Sequence, residues 1–277
     1  MNMSDTGFAF LLTVIAGSAT GVGGLAILFS KETSKKFISV CLSFSAGVML
    51  YISFAEILRE AFETLEYEIG NGTGFMVATA AFFAGILITA AIDKIIPHDD
   101  DVTGLAEYIP QDSEDAIIQK DKQELKRTGV MAAIAIAIHN LPEGVIVFMA
   151  ALHDPALGVA IALAIILHNI PEGIATAAPI YYSTGSRLKA FLFSFGTGFV
   201  QPVSALVAWA LLRNVLNDMG AAFGIAFAVV AGIMVYVAIH QLLPAAQKFG
   251  KHHMVMKWLF AGMAVMAASI VALEFVF

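Results

Sequence analysis

Two copies of one six-residue phrase carry the side chains of this sequence that are best suited to chemistry. The first phrase is His-Asn-Leu-Pro-Glu-Gly at 139–144, and the second is His-Asn-Ile-Pro-Glu-Gly at 168–173. Residues four apart lie on one face of a helix, so the histidine and the glutamate of each phrase point the same way, with the asparagine at the edge of that face. Each phrase therefore presents nitrogen and oxygen ligands on one side of a helix.

The proline of each phrase is expected to bend the helix that carries it. Pro142 and Pro171 lack an amide hydrogen, and their rings clash with the preceding turn. The carbonyl groups of Ile138 and Leu167 should therefore lose their helical partners, which predicts a kink in both helices. Proline-broken helices in a membrane open a site to solvent without exposing backbone to lipid.

The composition identifies an integral membrane protein. The 277 residues are 59% hydrophobic and only 13% charged, with a mean hydropathy of +0.82, whereas soluble domains carry about 25% charged residues. The net charge of -7 argues against nucleic acid as a partner, because phosphate binding requires clustered lysine and arginine. The single cysteine, Cys41, excludes an internal disulfide and a thiolate cluster, and it is interpreted as a small apolar residue.

Eight apolar stretches are long enough to cross a membrane as helices. Their approximate limits are 7–29, 37–58, 74–96, 129–152, 155–182, 188–212, 219–244 and 255–274. The first stretch is interpreted as a retained span because basic residues follow it and none precedes it, unlike in a secretory signal. The predicted fold class is an all-α integral membrane protein with eight transmembrane helices in a single domain, 1–277.

The distribution of basic residues predicts which ends of the helices face the cytoplasm. When the eight spans alternate in direction, all of the 15 lysines and arginines except Arg59 and Arg213 fall on one side. Basic residues are retained on the cytoplasmic side. Both termini are therefore predicted outside, and the polar segment 97–128 is predicted to be a cytoplasmic loop between the third and fourth spans. The expected location is the cell inner (plasma) membrane, as a multi-pass protein.

Two acidic segments outside the spans each allow two interpretations. The connection 59–73 holds four glutamates against one arginine, which would form either an acidic vestibule that concentrates cations or a solvated loop face. The run His-Asp-Asp-Asp at 98–101 would either hold a metal transiently or form a solvated turn.

The two phrases are predicted to lie deep in the membrane. His139 is 15 residues before the turn at Asp154, and His168 is 14 residues after it. At about 1.5 Å per residue both lie roughly 21 to 23 Å from the turn, inside a hydrocarbon core about 30 Å thick. Glu143 and Glu172 are the only acidic residues in the middle of the eight predicted spans. An ionisable group there costs several kcal/mol unless it is paired or bound to a metal.

A paired arrangement of this kind favours a metal site. A lone buried histidine is usually just hydrogen-bonded in a core, but here two His-x-x-x-Glu pairs lie at equal depth on consecutive antiparallel helices. Imidazole and carboxylate ligands together suit divalent first-row metals. They form neither the all-oxygen cage that calcium prefers nor the thiolate set that copper(I) prefers.

Movement of the ion is favoured over catalysis by it. A metallohydrolase needs a separate base, as in His-Glu-x-x-His, whereas here the glutamate takes a ligand position. The sequence also lacks a Gly-x-x-x-x-Gly-Lys-Ser/Thr loop and a sizeable soluble domain for ATP. The expectation is therefore a transporter rather than an enzyme, with the metal as substrate and no cofactor. The alternatives are an intramembrane metal-dependent hydrolase and a metal-sensing membrane protein without flux.

The repeated His-Asn-x-Pro-Glu-Gly phrase resembles that of the ZIP family of divalent-metal transporters, in its bacterial ZupT or GufA-like branch. The resemblance implies a metal site that can hold two ions, with Met49 of the second span lining the same cavity. It implies zinc as the main substrate, then iron(II), manganese, cobalt or cadmium. It also implies movement towards the cytoplasm by an elevator-like shift of spans one, four, five and six against the other four.

The sequence departs from that family pattern at two places. Many relatives have a glutamate where this chain has Gln201, and an acidic residue where it has His240 and Gln241. Asn169 is uncharged as well. These neutral residues predict one tightly bound ion, with a second position filled only transiently.

The candidate metal-site residues are His139, Asn140, Glu143, His168, Asn169, Glu172, Gln201 and Met49. The expected partners are divalent metal ions and the lipid bilayer, with a homodimer as an open alternative and no nucleic acid.

Overall fold

The fold is described by a computed structural model that covers residues 3–28, 35–95, 114–153, 155–212 and 220–275. Within these ranges the chain is helical almost throughout and contains no β-strand. The predicted all-α class is confirmed. The run 98–101 falls outside the described residues, as does Asp154 of the predicted turn.

Ten α-helices and two short π-helical segments follow one another along the chain. They are α1 (Met3–Leu28), α2 (Lys35–Ile52), a first π-helical segment (Ser53–Ile57), α3 (Leu58–Ile69), α4 (Asn71–Ile95), α5 (Glu114–His153), α6 (Pro155–Thr184), α7 (Arg187–Leu212), α8 (Gly220–Tyr236), a second π-helical segment (Val237–Leu242), α9 (Leu243–Phe249) and α10 (His252–Glu274).

Eight of the helical runs in the described ranges are long and apolar enough to cross a membrane, as predicted. Two of these runs are composite. Lys35–Ile69 joins α2 to α3 through the first π-helical segment, and Gly220–Phe249 joins α8 to α9 through the second.

The second span continues into the segment 59–69, which the sequence analysis treats as part of a connection. The segment is helical because its apolar residues recur at helical spacing: Ala61 and Leu65 are fully buried, while Arg59 and Glu63 lie on the exposed face and form an ion pair at 2.7 Å. Only Gly70 separates α3 from α4, and its φ of 90° suits glycine.

The helix that carries the first phrase begins at Glu114, inside the segment predicted as a loop. Its first turns are rich in Glu, Lys and Gln, which favour helix although they are too polar for a span. Pro142 lies inside α5 and Pro171 inside α6, and both helices continue through them. The predicted loss of the Ile138 and Leu167 carbonyl partners stays a prediction.

The helices form two groups that pack mostly among themselves. Helices α1, α5, α6 and α7 form one group, here called the ligand bundle because both phrases lie in it, and the remaining helices form the supporting bundle. The two bundles meet chiefly where α2 packs against α6 and α5 against α8. The ligand bundle contains spans one, four, five and six, which is the division that the resemblance implies.

Reciprocal glycine pairs bring helices into backbone contact within each bundle. A Cβ at either glycine of a pair would meet a backbone carbonyl oxygen of the neighbouring helix. The pairs are Gly17 with Gly198, Gly23 with Gly173, Gly47 with Gly262 and Gly85 with Gly232. Small residues permit this close approach in membrane helices, where van der Waals contact is the main attraction. Each bundle is therefore packed closely inside.

Enlarging one of these glycines is expected to destabilise the protein. Gly47→Ala should cost about 1–3 kcal/mol, as other overpacked cores do, because its Cβ would meet the Leu259 carbonyl oxygen of α10. Thermal unfolding of the detergent-solubilised protein should show a midpoint several degrees lower. The matched control is Gly196→Ala, where a Cβ meets nothing within 4 Å. An unchanged midpoint for Gly47→Ala would contradict the close α2–α10 packing.

Candidate metal site

The two phrases face each other inside the ligand bundle. Helix α5 contributes His139 and Glu143, the antiparallel helix α6 contributes His168 and Glu172, and all four side chains are almost wholly buried. The spacing of four residues in each phrase places its histidine and glutamate on the inward face of their helix. The structure therefore brings all four groups together between α5 and α6.

The carboxylate of Glu143 is the centre of the group. Its Oε1 lies 2.9 Å from Nε2 of His139 and 2.8 Å from Nε2 of His168. Ligand atoms of these three residues all lie within 4.8 Å of one another. Two imidazole nitrogens and one carboxylate oxygen that converge in this way form a donor set suited to Zn²⁺ and similar divalent ions.

Glu172 supplies a second carboxylate beside the first. Its Oε1 lies 3.3 Å from Nε2 of His139, yet neither of its oxygens has a hydrogen-bond partner among the described residues. Among the described residues Nε2 of His139 likewise forms no hydrogen bond, although it is close to both glutamates. An unpartnered buried polar group costs about 1–3 kcal/mol, and more when it is charged. A cation bound between these groups would remove that cost.

The two asparagines fasten the phrases to neighbouring helices. Nδ2 of Asn140 donates to the Thr197 carbonyl of α7 at 2.9 Å, and Nδ2 of Asn169 donates to the Ala16 carbonyl of α1 at 2.8 Å. Oδ1 of Asn169 has no hydrogen-bond partner among the described residues and stays available as an oxygen ligand. Each asparagine thus positions its helix, and Asn169 also offers an oxygen.

Gln201 joins the site from α7. The side chain is fully buried, and its Nε2 donates to Oδ1 of Asn140 at 2.9 Å and to Oε2 of Glu143 at 2.8 Å. The amide hydrogens therefore occupy the space between two oxygens that would otherwise face a cation. The sequence points to Gln201 because it is neutral where many relatives have a glutamate. No sequence pattern indicates that its amide donates hydrogen bonds to the site.

Met49 lies on the α2 face that packs against α6. It is 1% exposed and lies one turn after Ser45, whose Oγ donates to the Pro171 carbonyl at 2.9 Å. Helix α2 thus contacts the second phrase through this face. Whether the sulfur of Met49 lines the metal's route stays a prediction.

Two buried polar residues near the phrases were missed from the sequence. Ser45 is one of them, and the other is Thr176, one turn beyond Glu172 and fully buried, with no hydrogen-bond partner for its Oγ1 among the described residues. The spacing of four from Glu172 is a signal that could have identified Thr176, but threonines are common in apolar helices and the signal is weak.

His240 and Gln241 belong to a separate polar cluster around Asp93. Nε2 of Gln241 donates to Oδ1 of Asp93 at 2.9 Å, and Nδ1 of His240 lies 3.6 Å from Oδ2 of the same carboxylate. Tyr236 donates its hydroxyl to Asp93 at 3.1 Å, and Arg127 pairs with Asp93 at 2.7 Å. Arg127 precedes His139 by 12 residues, about 18 Å along α5. This cluster is therefore distinct from the site on the two phrases.

Comparison with known proteins gives matches along almost the whole chain. The model of a family described as ZIP Zinc transporter matches residues 6–100 and 98–269. A protein named Zinc transporter ZupT from Nitratidesulfovibrio vulgaris is 50% identical over 266 residues, 95% of each chain. Proteins of the same name from Clostridium perfringens and Chlorobaculum parvum are 45% identical over 279 residues and 47% identical over 264 residues. They cover 97% and 95% of this chain, and 97% and 96% of their own lengths.

Binding of Zn²⁺ at this site is expected to stabilise the purified protein. At about 100 times its dissociation constant a ligand adds about 2.7 kcal/mol, so the unfolding midpoint should rise when Zn²⁺ is added. Glu143→Gln should remove most of this rise, because Glu143 contacts both imidazoles. Glu63→Gln, which changes an exposed carboxylate on α3, is the matched control. A full rise for Glu143→Gln would contradict the assignment.

Proposed function

Because this chain belongs to the ZIP zinc transporter family, we propose that it moves divalent metal ions, Zn²⁺ first among them, through the site on α5 and α6. The protein is accordingly a multi-pass membrane transporter and not an enzyme, and the metal is its substrate rather than a cofactor. The observation that carries the proposal is the carboxylate of Glu172, which is buried beside His139 and has no hydrogen-bond partner among the described residues. A protein with no cation to bind there would pay a large cost for that group.

The donor set supports selectivity for zinc and related first-row ions. His139 and His168 offer imidazole nitrogens. Calcium and magnesium bind such nitrogens poorly, whereas zinc, iron(II), manganese, cobalt and cadmium accept them as ligands. The charges of Glu143 and Glu172 together balance one divalent ion in a medium of low dielectric constant. An ion that loses its hydration shell on entry would thus regain both its ligands and its charge balance.

The proposed direction is towards the cytoplasm of the cell, across its inner (plasma) membrane. This direction is the one that the family resemblance implies. The bias of lysine and arginine to one side, which includes Lys35, Lys94 and Lys248, supports the orientation of the chain in the membrane. Both termini and the exposed face of α3, where Arg59 pairs with Glu63, would then lie outside.

A shift of one bundle against the other is the proposed way in which the ion crosses. The phrases lie within the ligand bundle, whose helices are joined by backbone contacts at Gly17, Gly23 and their partners. A bundle packed in this way moves as a body more easily than it deforms. The weakly buried helices α4 and α10 are proposed to contact lipid, and a homodimer through such a face is the alternative.

We further propose that the site holds one tightly bound ion. The amide hydrogens of Gln201 already satisfy Oδ1 of Asn140 and Oε2 of Glu143. A second ion at these oxygens would have to displace both hydrogen bonds and would find no additional negative charge. A second position is therefore filled only transiently.

Changing Gln201 to glutamate is expected to create a stable second ion position. Gln201→Glu would replace the two donated hydrogen bonds with a third carboxylate close to Glu143, and clustered carboxylates need a cation between them. Bound zinc per chain, measured by mass spectrometry after equilibrium dialysis, should rise from about one to about two ions. Two tightly bound ions in the unchanged protein would contradict the single-ion proposal.

Removal of one ligand carboxylate is expected to abolish transport. Glu172→Gln keeps the shape of the side chain but should lower the rate of ⁶⁵Zn²⁺ uptake into proteoliposomes by at least about 100-fold, since breaking a buried charge arrangement costs about 3–5 kcal/mol and each 1.4 kcal/mol is about tenfold. Glu63→Gln serves again as the control. Competition by iron(II), manganese, cobalt and cadmium would rank the substrates in the same assay.

Other outcomes of the uptake assay favour the alternative functions. Saturable zinc binding by the unchanged protein without accumulation would favour a metal sensor. Cleavage of a peptide or lipid substrate in place of uptake would favour a metal-dependent hydrolase. Normal uptake by Glu172→Gln would remove the phrases from the transport mechanism.

A further inference from the structure

One carboxylate on α5 joins the ligand bundle to two helices of the supporting bundle. Asp121, in the polar extension of α5, is 6% exposed. Its Oδ2 lies 2.9 Å from Nζ of Lys35 at the start of α2, and its Oδ1 lies 3.1 Å from Nζ of Lys248 in α9. A carboxylate that is buried in this way and receives two ammonium groups is a built contact rather than a chance surface pair.

An aromatic ring organises the two lysines. The ammonium groups of Lys35 and Lys248 lie 5.8 Å and 5.7 Å from the centre of the Phe249 ring, within the range of cation–π attraction. Tyr182, near the end of α6, packs against the same ring at 6.1 Å. Phe249 therefore holds both cations towards Asp121 and contacts the ligand bundle directly.

A second charged contact lies six residues further along α5. Nη2 of Arg127 lies 2.7 Å from Oδ1 of Asp93 in α4 and donates to the Asp93 carbonyl at 3.1 Å. The carboxylate of Asp93 is itself held by Tyr236 and Gln241 of the supporting bundle. The extension of α5 is thus fixed at two points about 9 Å apart along the helix.

These contacts differ in kind from those inside the bundles. The reciprocal glycine pairs lie between helices of one bundle, where close backbone contact opposes sliding of one helix along the other. The Asp121 and Arg127 contacts cross between the bundles. The side chains of Lys35 and Lys248 are partly exposed, so water can replace the Asp121 carboxylate as their partner when the contact opens. His139 lies on the same unbroken helix as Asp121, so a shift of the phrases along α5 would pull these ion pairs apart.

We propose that Asp121 with Lys35 and Lys248, together with Arg127 and Asp93, forms a clasp that must open whenever the ligand bundle moves. The clasp holds the two bundles in the conformation of this structure at their proposed cytoplasmic end. It controls the rate of transport without contributing a ligand to the metal. This inference rests on the proposed transport function.

Cross-linking across the clasp tests the inference. Asp121→Cys with Lys248→Cys, in a Cys41→Ser background, would be joined by a short bifunctional methanethiosulfonate and assayed for ⁶⁵Zn²⁺ uptake in proteoliposomes. Uptake is expected to fall to the level of empty vesicles on cross-linking and to return after reduction with a phosphine. A second pair, Asp121→Cys with Lys35→Cys, should behave in the same way.

A cysteine pair inside the supporting bundle provides the matched control. Ser39 of α2 donates to the Ala246 carbonyl of α9 at 2.7 Å, so Ser39→Cys with Ala246→Cys joins the same two supporting helices without involving α5. Cross-linking this pair should leave uptake unchanged.

Three outcomes would contradict the proposed clasp. Equal uptake by the cross-linked and reduced forms would show that the bundles need not separate there. Failure of both clasp pairs to cross-link, while the control pair does, would show that the contact is not formed. Loss of uptake in both reduced pairs would show that these charges are needed for the active fold itself. Absence of uptake by the unchanged protein would instead contradict the transport function, while the cross-linking yield would still report the contact.

Discussion

The negative charge of Glu143 and Glu172 is the constraint on which the other features of the site depend. Two neighbouring carboxylates buried between membrane-spanning helices repel each other and have lost their hydration, so a compensating cation is needed. As metal ligands the imidazoles of His139 and His168 are neutral, so they add nitrogen ligands but no positive charge. A divalent ion meets both needs at once, which explains why the ligand oxygens of Glu172 have no hydrogen-bond partner within the described residues.

The surrounding ligand bundle keeps these groups in position when no ion balances them. The amide nitrogens of Asn140 and Asn169 donate hydrogen bonds to carbonyl groups of α7 and α1. These bonds fix the rotation of both ligand helices. The close glycine contacts of α1 with α6 and α7 fix their separation. Ligands held in this way by packing and outer hydrogen bonds lose little entropy on binding. The repeated phrase thus encodes the scaffold of the site as well as its ligands.

The sequence predicted the parts of the site that depend on helical spacing and missed those that depend on packing between distant segments. A spacing of four fixes the face on which His139 and Glu143 lie, whatever the rest of the fold does. The donor role of Gln201 depends on how α7 packs on α5, which no local pattern encodes. At helix α3 and the extension of α5 the sequence predicts connections, because hydropathy falls where charges begin. These residues are nevertheless helical, since Glu, Lys and Leu favour helix.

The difference between the two kinds of helix contact bears on how such a protein can move without losing its structure. Backbone contact at a pair such as Gly47 and Gly262 loses about a quarter to a half of its attraction when the helices separate by about 0.5–1 Å, so these contacts keep each bundle intact. An ion pair such as that of Asp121 with Lys248 needs no such close fit, and because the Lys248 side chain is partly exposed, water can replace the carboxylate as its partner when the pair opens. Ion pairs, which reform readily, are therefore suited to the boundary between the two bundles, which opens. Close backbone contacts are suited to the interior of each bundle, which stays packed.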